Sequence, residues 1–265
     1  MTIVLSYSIP AEPSDWSERI EAACRLVEGA FGVKLAKATA YRGGQAPIEV
    51  VDRQAFLRKK CKSKTRWLHL FSDAPSGPAP SCPQVDGYCA IDGCGYRNKG
   101  VYLFGAQFPE VDESKLESLF VALGDAVSAY SAHYSPIHTS RRLNAIHWRP
   151  LVEVELPPLL ARHFEPWELR LPRLDHALYQ GLPSPLQPHG LGWLNYWSAE
   201  TAGYIGFPAP HRDANLLRNA YRTPAGAWLV KTCREPLDAS RPDHIERLVE
   251  AYERFPRLGV RAKVE

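Results

Sequence analysis

The stretch GLGWLNYWSAETAGYIGFP, residues 190–208, joins an aromatic run to a short helical segment, and that junction carries the fold class. If residues 191–197 are extended, side chains alternate, so Trp193, Asn195 and Trp197 share one face while Leu194 and Tyr196 share the other. Large side chains on both faces mean that both faces are covered. Ser198 then suits the N-cap of a short helix, with Glu200 in its first turn and Gly203 or Gly206 at its exit. A strand that turns directly into a helix, with neither face left to water, predicts an α+β layer. The aromatics either pack as core or flank a recognition surface, since Trp and Tyr anchor interfaces. Trp193, Asn195, Tyr196 and Trp197 are therefore candidate partner-binding residues.

Downstream, the pattern predicts a helical turn around HRDANLLRN, a strand GAWLVKTC, and a final helix from Asp243 to Phe255 that turns Ile245, Leu248, Val249, Tyr252 and Phe255 inward. Upstream, residues 133–190 are cut by recurring prolines, among them Pro136, Pro150, Pro157, Pro158 and Pro166, which predicts short helices and extended connections. Residues 1–132 form an α+β lobe by pattern. A strand near 2–8 leads to a helix that Ser14 caps, Asp15 and Glu18 begin, and Gly32 ends. Strands follow near 33–41 and 47–51, then a basic helix from Asp52 to about Lys62 and the strand TRWLHLFS. QVDGYCAIDG and GVYLFGAQF form two more strands around the turn CGYRNKG. Ser114 and Glu117 form a capping box for a second helix with an apolar stripe of Leu116, Leu119, Phe120, Leu123, Val127 and Tyr130.

The expected architecture is α+β, a mostly antiparallel sheet or sheets with flanking helices, in two lobes or one large domain. The expected division is 1–132, a proline-rich connecting region 133–190, and 191–265, or one continuous domain 1–265.

The chain has 265 residues, 45% hydrophobic and 23% charged, which is ample for a globular core. Its formal charge of +3 is too mild to imply nucleic acid by itself. No basic region precedes the first apolar run, and no run approaches the ~18 apolar residues of a membrane span. A cytoplasmic location without membrane contact is expected, with the six cysteines reduced.

Motifs of chemistry are sparse. Cys82, Cys89 and Cys94 are more widely spaced than the pairs of a structural zinc site, even with His133, His138 or His147 to complete them. Cys61, in RKKCKSKTR, has a positive setting but no motif around it. No Walker A, GxGxxG, HExxH or GxSxG pattern occurs, and HRD at 211–213 lacks the partners of a kinase loop. No metal or cofactor is implied, and no catalytic residue. The densest basic run is Arg58, Lys59, Lys60, Lys62, Lys64 and Arg66. Only Trp67 adjoins it, so it lacks the aromatic platform of a single-strand binder. The run reads first as a solvated helix end, and as a binding surface Arg58, Lys59, Lys60 and Lys62 suit an acidic protein partner better than nucleic acid.

The blocks LGWLNYWSAETAGYIGFP and GAWLVKTCREPLDASRPDHIERLVEAYERFP resemble immunity proteins of bacterial toxin systems. The likeness is to the type VI immunity family, which carries a Gly-Trp-Leu-aromatic strand matching Gly192, Trp193 and Leu194, and more loosely to the immunity protein 52 family. It spans about residues 170–258. It implies an α+β protein that is not an enzyme and that binds and blocks a cognate toxin or effector. With a cytoplasmic location, that toxin acts in the cytosol and is inhibited by stoichiometric occlusion of its active site. Two other readings stay open: an enzyme that reverses a toxin's modification, with a pocket from His133, His138 or His211, and a nucleic-acid-associated protein using the run 58–66.

Overall fold

The computed structural model describes residues 2–10, 15–38, 47–61, 68–72, 89–96, 101–147, 164–174 and 184–259. The chain divides into two compact units, one of residues 1–132 with 223–225 and the other of 133–222 with 226–265.

The first unit is built on an antiparallel sheet in the order β3-β2-β4-β5-β6-β1. β1 (Thr2–Pro10) pairs along its whole length with β6 (Val101–Pro109), from Thr2 opposite Pro109 to Pro10 opposite Val101. Ile3, Leu5, Tyr7 and Ile9 are buried, the period-2 face that the sequence predicts. β5 (Ala90–Tyr96) and β4 (Leu68–Phe71) continue the sheet to β2 (Lys37–Ala38) and β3 (Ile48–Glu49). β2 and β3 are two residues each, shorter than the sequence predicts, and β5 runs through Cys94–Tyr96, which the pattern assigns to a turn.

Helix α1 (Trp16–Phe31) buries Trp16, Ile20, Ala23, Cys24 and Val27 and ends at Gly32, whose φ of 65° is the left-handed region that favours glycine. Its N-cap is Asp15, and the expected cap, Ser14, lies outside the described residues. Arg53, the first residue of α2 (Arg53–Cys61), reaches back to both Glu21 and Glu28 of α1, with a 2.6 Å bond from Nε to Glu21 Oε2. That hydrogen bond holds the Glu21 carboxyl below the usual range. Helix α3 (Glu113–Ala126) buries Leu116, Leu119, Phe120 and Leu123. Lys115 docks it to α1, donating to the Ala30 carbonyl at 2.8 Å with its ammonium 4.7 Å from the Phe31 ring. Tyr7 completes this core: its ring lies against Phe104 and Phe120, and its hydroxyl donates to the Phe120 carbonyl at 3.0 Å.

The cap of α3 differs from expectation. Asp112, not Ser114, is the N-cap: its extended backbone places Oδ1 2.9 Å from the Lys115 amide. Ser114 is inside the helix and donates its hydroxyl to the same carboxylate at 2.7 Å. An ionised acceptor at the positive end of a helix outcompetes a hydroxyl two residues later.

β7 (Ser131–Tyr134) straddles the division, Ser131 and Ala132 grouping with the first unit and His133 and Tyr134 with the second. In the second unit, α4 (Ile137–His147) is an 11-residue helix within the proline-rich stretch, followed by a short 3-10 turn Glu168–Arg170. β8 (Leu194–Trp197) pairs antiparallel with β10 (Trp228–Lys231), and β10 with β9 (Ala220–Arg222), a strand the sequence does not announce. α5 (Ala199–Ile205) leaves β8 at Ser198, whose hydroxyl accepts from the Thr201 amide at 3.1 Å, and exits at Gly206 with φ 77°. The single-turn α6 (Ala214–Leu217) and the long α7 (Pro242–Arg254) complete the unit. Ile245, Leu248, Val249, Tyr252 and Phe255 all face inward as the helical period requires.

The core of this unit is aromatic. Trp197 meets Phe207 and Phe255 edge to face at 5.2 and 5.5 Å, and Phe207 meets Trp228 at 5.2 Å. A buried chain of polar groups crosses it. His147 donates from Nδ1 to the Pro172 carbonyl at 2.8 Å, its Nε2 lies 3.3 Å from the Tyr252 hydroxyl, and that oxygen accepts from the Leu191 amide at 3.0 Å. Asn195 closes the start of β8, accepting from the Gly192 amide at 2.9 Å and donating to the Gly192 and Val230 carbonyls. Asn195, His147 and the Tyr252 hydroxyl are thus partnered inside the core, whereas the Trp197 indole N–H and the Thr201 hydroxyl are buried with no hydrogen-bond partner among the described residues. Among the described residues no helix is long and apolar enough to cross a membrane.

Candidate functional site

The aromatic candidates are core. Trp193, Asn195, Tyr196 and Trp197 are 1%, 0%, 2% and 1% exposed, so they offer no side-chain surface to a partner in this conformation. Trp193 is held at both ends, its backbone amide donating to Ser135 Oγ and its indole N–H to the Cys233 carbonyl, both at 3.1 Å. Arg58 and Lys59 are exposed on α2 and Lys60 is half-buried with its ammonium 5.4 Å from the Phe56 ring, while Lys62 lies outside the described residues. Of the cysteine set, Cys89 is buried, and Cys82 and the side chain of Cys94 lie outside the described residues, as does the side chain of Cys61. Among the described residues no three metal-ligating side chains cluster. His133, His138 and His211 are each exposed, on β7, on α4 and in the turn before α6, and no hydrogen bond joins them to one another.

Among the described residues, a concave feature of the second unit lies elsewhere. An open depression of about 370 Å³ is lined by α6, the residues that follow it, the segment after β10, and the first turns of α7. Four of its lining residues are arginines: Arg218, Arg234, Arg241 and Arg247. Asn215 and Asn219 face them, and Cys233 and His244 form the floor. A second depression of about 90 Å³ adjoins it, shares Asn215 and Arg247, and adds Arg212 and Arg254. The result is one groove along the solvent side of α7.

The guanidinium groups divide into tied and untied. Arg254 is tied to the buried Asp213 by two bonds, of 2.6 and 3.0 Å, and to the Gly206 carbonyl at 2.8 Å. Arg241 is tied to Glu235 at 2.9 Å and to Asp243 at 2.8 Å. Among the described residues Arg212, Arg218, Arg234 and Arg247 have no ion pair or side-chain hydrogen bond. They are exposed forks with the geometry to bind a carboxylate or phosphate.

Nothing in the depression is prepared to do covalent chemistry. Burial pushes the Cys233 thiol up to about 11, leaving it protonated at neutral pH and a poor nucleophile. The His244 imidazole accepts a hydrogen bond at Nδ1 from the Asp238 amide at 3.0 Å, and burial followed by Arg241 holds its pKa below the usual histidine value. It is a neutral ring fixed in one tautomer, and the two carboxylates on the rim are already spoken for by Arg241. What the lining offers is positive charge, in three untied guanidinium groups.

Sequence reasoning missed this groove for a physical reason. Helical spacing pairs Asp243 with Arg247, four residues on, as an ordinary surface ion pair. The structure gives Asp243 to Arg241 instead, which frees Arg247. The available signal was the recurrence of arginine at 212, 218, 234, 241, 247 and 254 in a chain segment poor in lysine.

The groove falls within the part of the chain that comparison places. A family described as a domain of unknown function (DUF5953) matches residues 118–263, more than half of the chain, and the chain belongs to that family. Comparison with curated proteins finds no match. Among solved structures, the Pseudomonas aeruginosa T6SS protein PA0821 is similar, with a TM-score of 0.54 and 11% identity over 98% of this chain and 73% of that one. At that identity the likeness is one of fold.

Proposed function

We propose that this protein works by binding: it is a T6SS-associated, immunity-type protein that holds a cognate toxin or effector and blocks its active site one to one in the cytosol. The observation that carries this reading is the arginine groove, a depression with three untied guanidinium groups, Arg218, Arg234 and Arg247, a fourth, Arg212, in the adjoining one, and no activated nucleophile. Such a surface is suited to an acidic partner, and its charge would speed encounter as well as select the partner. The fold likeness to a T6SS protein supports the setting. The close-packed aromatic core of the same unit supports a binder that changes little on docking. In this reading the chain is not an enzyme and needs no cofactor.

The test is co-expression with the toxin-like product of the neighbouring gene. The expected outcome is rescue of growth and a one-to-one complex on purification. Protection at ratios well below one would replace the binder with an enzyme that reverses the toxin's modification.

A further inference from the structure

We infer that the groove along α7 receives an acidic protein segment, whose carboxylates seat on Arg218, Arg234 and Arg247 with Asn215 and Asn219 as neutral hydrogen-bond partners. This rests on the binding role proposed above and names the chemistry of its partner.

Three observations favour carboxylates on a protein over the phosphates of a nucleic acid. The lining contains no Phe, Tyr or Trp, so no base has a ring to stack on. Glu235, Asp243 and Glu250 stand among the arginines and would repel a continuous phosphate backbone, yet leave room for discrete charges between them. The main depression, about 370 Å³, has the size of a bounded site for a few groups and not of a strand-long track.

Each guanidinium is solvent-exposed, so a single pair adds little, and the selectivity arises from several forks acting on one segment. Asn215 and Asn219 matter for the same reason: each accepts or donates without adding charge, which fixes where a carboxylate sits between two arginines. Arg241 is held by Glu235 and Asp243 and keeps the rim in shape without competing for the ligand.

The experiment uses the full chain and two labelled probes, hexaglutamate and hexathymidylate, followed by fluorescence anisotropy at increasing sodium chloride. Hexaglutamate is expected to bind, with affinity falling steeply as salt rises. The R218E/R234E double variant is expected to weaken it at least tenfold, and R218A/R234A several-fold, while K34E/R141E, at exposed positions that do not line the groove, changes it less than twofold. Unchanged binding by both groove variants overturns the inference, as does tighter binding of hexathymidylate than of hexaglutamate at equal salt. Circular dichroism melting of each variant at the wild-type temperature keeps the comparison valid, since the four substituted residues are exposed. The same variants separate this inference from the role beneath it. Rescue that persists in R218E/R234E overturns the groove and leaves neutralisation standing. Failure of the wild-type chain to rescue overturns neutralisation, and the probe titration still decides the groove.

Discussion

Gly192 shows how much of the second unit depends on a single missing carbon. A Cβ there would sit 2.4 Å from the Tyr134 carbonyl oxygen, which is backbone and cannot swing aside. Gly192→Ala is expected to cost about 3 kcal/mol through forced separation of the two segments. A urea midpoint equal to that of the wild type would refute the close approach. A histidine carries a second prediction. Burial, with the neighbouring His133 charge adding to it, pushes the His189 imidazole down to about 4. Its folded pKa is thus below its unfolded value, so the unfolded chain binds the proton first as pH falls. Stability is full above about pH 6.5 and drops towards pH 4, by up to about 3 kcal/mol. His189→Gln should flatten that part of a urea midpoint-versus-pH curve, and an equally steep curve in the variant would exclude the assignment. At this scale the sequence was partly legible. Ser198 and Gly206 are the caps that residue type announces, because cap chemistry is local. The untied arginines are not local: which carboxylate each one meets is decided by the path of the chain.

At the scale of elements, the capping of α3 gives a sharp comparison. The capping-box pattern points to Ser114 with Glu117, whereas the structure uses Asp112. Asp112→Ala is expected to cost about 1 kcal/mol, and Ser114→Ala a few tenths. Thermal melts of the two variants measure this, and the reverse order would restore the capping box. Long elements with strong periodicity were largely legible: β1, α1 and α7 run where their patterns place them, while α3 ends at Ala126, before Val127 and Tyr130 of its expected stripe. The short ones were not. β2, β3 and β9 are only two or three residues long, and each exists because a neighbouring strand offers it hydrogen bonds. No alternation can be read from so few residues. The face of β8 was legible in its burial but not in its purpose, since Trp193 and Trp197 look the same in sequence whether they fill a core or an interface.

At the scale of the whole molecule, three residues stand apart from their surroundings in sequence. Thr223–Ala225 group with the first unit although the chain on both sides belongs to the second. Thr223 is buried and donates its hydroxyl to Asp125 at the end of α3, at 3.0 Å. Thr223→Val keeps the shape and removes the donor, at an expected cost of about 1 kcal/mol. The loss should appear as faster amide exchange around residues 124–127, far away along the chain. Unaltered exchange there would show that the segment adds nothing to the first unit. The boundary at 132 is where the sequence reading ends the first lobe, but the return of Thr223–Ala225 could not be read from composition, because nothing about Thr-Pro-Ala marks a return to an earlier part of the fold. It bears on how such a protein can diversify. A single crossover in the gene cannot hand one unit intact to a descendant, because any exchanged tail carries a fragment of the other. Point changes at exposed positions avoid that constraint, and the untied arginines are positions where a change disturbs no ion pair or side-chain hydrogen bond among the described residues.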